Sequence, residues 1–91
     1  MNGRRDSIQI ATQILKQAKN GSQKTRIMYQ CNLSFDQIKE YLGALVDANF
    51  VAVDKHNTRD IYKTTTKGIN AIQKSEETVR IFKPFYESLK K

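Results

Sequence analysis

Only one cysteine, one histidine and one proline occur among the 91 residues. A lone Cys31 excludes an internal disulfide framework, and with His56 as the single histidine no Cys/His zinc site can be assembled. Cys31 reads instead as a packed thiol in a reducing compartment. No apolar run approaches the ~18 residues of a membrane span, and the opening MNGRRDSIQI lacks the continuous hydrophobic stretch of a secretory signal. The expectation is a cytoplasmic protein without a membrane partner. Glycine-rich phosphate loops, convincing carboxylate pairs and Ser-His-acid arrangements are also missing. Enzymatic activity is therefore the weakest reading, with no cofactor, no metal and no catalytic residue assigned.

What the chain has is positive charge. Sixteen Lys and Arg against nine Asp and Glu give a formal charge of +7, which favours a polyanionic partner and says nothing about fold. Nucleic acid is the first candidate, ahead of an anionic membrane surface, an acidic protein or simple solubility. Hydrophobic residues make up only 38%, but their periodic placement argues for a folded chain. At this length a single small domain is expected, burying about 60–65% of its unfolded surface, so a partner subunit would help it.

The periodicity predicts three helices in the first half. In DSIQIATQILKQAKNG, Ile8, Ala11, Ile14, Leu15 and Ala18 fall near one face, Asp6 or Ser7 caps the start, and Asn20-Gly21 supplies a stop. SQKTRIMYQC follows, with Ser22 as a cap and Ile27, Met28 and Cys31 inward. Ser34 then caps FDQIKEYLGALVDANF, with Gln37 completing a capping box. Here Phe35, Ile38, Leu42, Leu45 and Val46 are expected to face the core, with Asp36, Glu40, Gly43 and Asp47 opposite. Beyond Asn49 the pattern changes. FVAVD and IYKTT favour strands around a polar turn, KHNTRD, so a hairpin is expected to lie against the helices. Thr65 or Thr66 starts a last helix whose end Pro84 would kink or loosen.

Helix, helix, turn, helix, hairpin and long helix in this order define an α+β, mainly α, fold: a winged helix-turn-helix of three helices and a two-stranded wing, with a long C-terminal helix. Residues 1–66 would form the winged domain and residues 67–91 a dimerisation helix. In such a fold the second helix of the pair enters the major groove while the first braces it.

The segments KTRIMYQCNLS, IKEYL and YKTTTKG resemble a small archaeal winged-helix family whose members bind DNA and dimerise through a C-terminal antiparallel coiled coil. The similarity covers most of residues 6–70. It implies that Lys24, Thr25 and Arg26 open the bracing helix and that Ser34, Phe35, Gln37 and Lys39 open the recognition helix. Lys24, Arg26 and Lys39 would then neutralise phosphates, and Ser34 or Thr25 would hydrogen-bond them. Gln37 would pair with both edge groups of an adenine. Arg4 and Arg5 would form a short arm, and Lys55, His56, Arg59 and Lys63 would act from the wing, Arg59 at a narrow minor groove or its phosphates. Asp36, Glu40 and Asp47 resist this picture, because an acidic helix face lines a phosphate-rich cleft poorly.

The last helix carries a stripe of Ile72, Val79, Phe82, Phe85, Tyr86 and Leu89 at near-heptad spacing, with Ser75 as a weak layer. Its outer half has little of the monomer to cover it, so a homodimer is expected. The functional expectation is a dimeric transcriptional regulator binding double-stranded DNA. A non-specific architectural chromatin protein is one competing reading. A protein-interaction adaptor, with a protein partner on the aromatic stripe, is the other.

Overall fold

The computed structural model describes residues 6–56 and 58–90. Arg4, Arg5 and Asn57 lie outside the described residues, as does the side chain of His56. The elements follow the expected order: α1 (Ser7–Gln17), α2 (Lys24–Gln30), α3 (Phe35–Asp47), β1 (Val51–His56), β2 (Arg59–Thr64) and α4 (Thr66–Leu89).

Local chemistry explains each boundary. Asp6 caps α1, its carboxylate accepting from the Gln9 amide at 2.9 Å while the Gln9 side chain accepts from the Asp6 amide at 3.2 Å. Two free donors are thus satisfied reciprocally. The turn between α2 and α3 is built the same way from both sides. Asn32 adopts a left-handed φ of 55°, and Leu33 N–H donates to Met28 at 3.0 Å while Asn32 N–H donates to Tyr29 at 3.2 Å. This is a Schellman ending. Ser34 and Gln37 then form the expected capping box for α3. Leu33 belongs to the buried core together with Ile38, the positions of a hydrophobic staple. Asn49, at φ 69°, closes α3 with the same ending, as Phe50 N–H donates to Leu45 at 2.9 Å.

The core gathers Ile10, Ile14, Leu15, Ala18, Ile27, Cys31, Leu33, Ile38, Leu42, Leu45, Val51 and Ile72. Cys31 is buried, as expected of a packed thiol. Two side chains read as inward are not. Ile8 is exposed, and Phe35 is 58% exposed. Both lie in the first turn of their helices. Met28 and Val46 are only partly covered.

The wing is an antiparallel pair with Val51 opposite Thr64, Val53 opposite Tyr62, and His56 opposite Arg59. Lys55, His56, Arg59 and Asp60, expected in the turn, are strand residues. Lys55 faces Asp60 across the ladder, an opposite-charge pair that favours continued pairing. Ser22 does not cap α2. Its backbone forms a bridge to Tyr62, giving and receiving hydrogen bonds at 2.9 and 2.8 Å, and the N-cap of α2 is Gln23, which makes no side-chain cap. The wing is therefore tied to the linker between α1 and α2.

Thr65 caps α4 through the Gly68 amide, at 3.2 Å. Gly68 sits where the helix crosses the end of the wing. A Cβ there would fall against the Phe50 carbonyl oxygen and Thr64 Cγ2, so only glycine permits the approach. Lys16 and Glu76 pair at 2.9 Å, and the Thr12 hydroxyl lies 3.3 Å from that of Ser75, both linking α1 to α4. The Lys16 ammonium, by hydrogen bond and charge, holds the Glu76 carboxyl below the usual carboxylate range. Helix α4 continues through Pro84 to Leu89. At 24 residues it is about 36 Å long, and it makes the molecule elongated, 54 × 27 × 19 Å.

Candidate nucleic-acid interface

Helix α3 presents two adjacent outer rows. Phe35, Lys39, Gly43 and Asp47 follow one another at four-residue steps and so share one row. Asp36, Glu40 and Ala44 form the next, turned about 100° away. Lys39, Gly43 and Asp47, with Leu42 and Val46 behind them, line a trough of about 210 Å³ whose facing walls are Lys24, Val53 and Tyr62. The first row therefore faces the wing and the start of α2, and the acidic pair Asp36 and Glu40 lies beside it. Asp36 also sits in the first turn of α3, where a carboxylate complements the positive end of the helix dipole.

Gly43 forms the bare centre of this row. A Cβ there would meet nothing within 4 Å, so no packing within the chain accounts for its small size. At the N-terminal end of the row the Lys24 ammonium stands 5.6 Å from the centre of the Phe35 ring, a cation–π contact between α2 and α3. Lys24 also borders a second hollow, with Thr25, Thr58, Arg59, Asp60 and Tyr62. One lysine thus joins the α3 trough to the wing. Tyr62 lines both hollows, and burial, aided by the Asp60 carboxylate, raises its hydroxyl above the ordinary tyrosine value. It is therefore neutral near pH 7 and able to donate a hydrogen bond.

Lys24 and Lys39 border the hollow against α3, and Lys24, Thr25 and Arg59 border the one between α2 and the wing. Arg26 borders neither. Arg26 borders a hollow of about 660 Å³ on the other side of α2, with Lys16, Asn20, Tyr29 and Ile61. Lys55 and Lys63 are exposed on the wing, and strand alternation turns them to opposite faces. Ser34 and Gln37 are exposed at the start of α3 but already engaged with one another. The Gln37 carbonyl oxygen accepts from the Ser34 amide at 2.9 Å, and the Ser34 hydroxyl accepts from the Gln37 amide at 3.1 Å. Bidentate pairing with adenine would require the capping box to open, whereas the Gln37 side-chain NH2 remains available as a donor.

Phe35 is the feature that the wheel reading missed. Its spacing to Ile38 and Leu42 matches the buried face, yet at the first position of α3 it is exposed. On α4, Ile72 is 4% exposed and belongs to the core of its own chain. Val79, Phe82, Phe85, Tyr86 and Leu89 are exposed, as is Ile81. Phe82 and Phe85 meet edge to face at 6.2 Å, and Phe85 lies 5.5 Å from Tyr86.

A family described as winged helix-turn-helix matches residues 4–83, nearly the whole chain. The chain belongs to the winged helix-turn-helix family. An uncharacterised protein of Methanocaldococcus jannaschii is 38% identical over 82 residues, 89% of this chain and 37% of that relative. The chain thus spans a little over a third of that relative's length. Among solved structures, Sso10a-2, a DNA-binding protein from Sulfolobus solfataricus, superposes with a TM-score of 0.86 at 26% identity, covering 94% of this chain and 90% of that one. AF1382 from Archaeoglobus fulgidus has a TM-score of 0.67 at 17% identity, with 84% and 86% covered, and shares the fold. The resemblance to small archaeal winged-helix proteins that KTRIMYQCNLS carries thus extends along the chain. Within the winged helix, α2 and α3 are the helix-turn-helix pair and β1–β2 the wing. Among the described residues no helix is long and apolar enough to cross a membrane.

Proposed function

We propose that this winged-helix protein binds duplex DNA as a homodimer and regulates transcription. The observation that carries the DNA reading is a pair of hollows that share Lys24 and Tyr62, one between α3 and the wing with Lys39, the other between α2 and the wing with Arg59. Their cations suit phosphates on either side of a groove, and the α3 row can approach base edges. Asp36 and Glu40 occupy the neighbouring row, whereas Asp47 lies at the C-terminal end of the trough itself, so the DNA is placed toward the N-terminal half of α3. Similarity to Sso10a-2, itself a DNA-binding protein, and the +7 charge support the same reading. Lys24, Lys39 and Arg59 neutralise phosphates, Thr25 and Tyr62 hydrogen-bond them, and the Gln37 amide donates to an acceptor in the groove. Arg26, Lys55 and Lys63 contribute from the periphery.

The homodimer reading rests on α4. Its apolar cluster from Val79 to Leu89 stands clear of the protomer, and pairing with a second copy would remove it from water. The same patch favours a second reading, in which it docks a different protein and the winged domain is a scaffold. Titrating duplex DNA over a range of salt concentrations tests the first reading. Binding that weakens linearly with log salt on a logarithmic scale is expected. Absence of binding at low salt would leave the adaptor reading.

A further inference from the structure

We propose that Phe35 is a thymine-reading residue, its exposed ring taking the 5-methyl group of thymine in the major groove. This rests on the DNA-binding reading above and adds to it a source of base preference. The ring is 58% exposed in the first turn of the recognition helix, the part of such a helix that meets base edges. It shares its row with Lys39 and Gly43 and is approached by the Lys24 ammonium at 5.6 Å. Cations therefore flank it on the side that would meet phosphates, and the bare Gly43 leaves the helix room to come close.

The chemistry of the groove then selects the ligand. Base edges there are lined with hydrogen-bond donors and acceptors, and the thymine methyl is their one apolar group. An apolar ring brought to that edge has a favourable partner at thymine and desolvates polar atoms at the other bases. Gln37 cannot supply the same discrimination while its carbonyl oxygen is held by the Ser34 amide. Phe35 therefore supplies a preference for thymine that the capped Gln37, left with its NH2 donor alone, does not.

The test compares an alternating A·T duplex with the same duplex in which every thymidine is replaced by 2′-deoxyuridine, which lacks only the methyl. The full chain is expected to bind the thymine duplex about fourfold more tightly for each methyl buried. Phe35→Ala and Phe35→Gln, checked for folding by circular dichroism, are expected to bind both duplexes alike while keeping the wild-type salt dependence. A ring that merely supports the fold would instead weaken binding to both duplexes equally and leave their ratio intact. Equal binding of the two duplexes by the wild type, or a ratio unchanged in a folded variant, would overturn the proposal and leave DNA binding standing. No binding of the wild type to either duplex at low salt would overturn both together. The wild-type ratio stands as a test even if neither variant folds.

Discussion

Single residues at special positions carry consequences out of proportion to their size. Gly68 lies against the Phe50 carbonyl and Thr64 where α4 crosses the wing. Gly68→Ala is therefore expected to lower stability by about 1–3 kcal/mol, the usual range for overpacking, read as a lower denaturant midpoint. Gly43 is the opposite case. It has open space around it and sits mid-helix, where glycine is about 0.5–1 kcal/mol worse than alanine. Gly43→Ala is expected to raise stability by that amount, and Gly43→Gln to weaken DNA binding by obstructing the trough. A denaturant melt paired with a binding titration separates the two effects. Both glycines were visible in the sequence, but nothing in their neighbours distinguished them. Only the distance from each to the next element does so.

At the scale of elements, the turn between α2 and α3 was the most legible part of the chain. Asn32 supplies a left-handed residue, Ser34 and Gln37 supply a reciprocal cap, and Leu33 anchors both helices to one core. The left-handed residue and the reciprocal cap are local, so residue order alone encodes them. Ser34→Ala is expected to cost about 1 kcal/mol, measurable as a shift in thermal midpoint. Where the structure departs from the local pattern, the cause is a contact or an edge that residue order does not encode. Ser22 looked like a helix cap because its partner, Tyr62, is 40 positions away and the bridge between them is a tertiary contact. Phe35 and Ile8 have core spacing, yet whether a first-turn side chain reaches the core depends on where the layer below it ends. Of the acidic residues of α3, Asp36 and Glu40 lie in a row apart from the one that faces Lys24 and the wing, and only Asp47, at its far end, lines the trough.

At the scale of the whole molecule, α4 does two things along its length. Its first half completes the core through Gly68 and Ile72 and is fastened to α1 by Lys16–Glu76. Its second half carries the exposed aromatic cluster. If a second copy covers that cluster, replacing Phe82 and Tyr86 together by Glu is expected to give a monomer in sedimentation. The far-UV spectrum should change little, because both side chains are about half exposed in the protomer. A single winged domain also offers fewer phosphate contacts than a pair, so the monomer is expected to bind duplex DNA more weakly and with a smaller salt slope.

The central claim is that duplex DNA is held in the trough between α3 and the wing. Comparing the salt dependence of duplex binding for the wild type and for Lys24→Ala with Lys39→Ala tests it most directly. Each phosphate contact contributes about 0.9 to the slope of log affinity against log salt. If each lysine makes one such contact, the double variant should lose about two units of slope per protomer and bind all duplexes more weakly, whereas Arg26→Ala should lose less. An unchanged slope in the folded double variant would contradict the account and place the DNA elsewhere on the molecule.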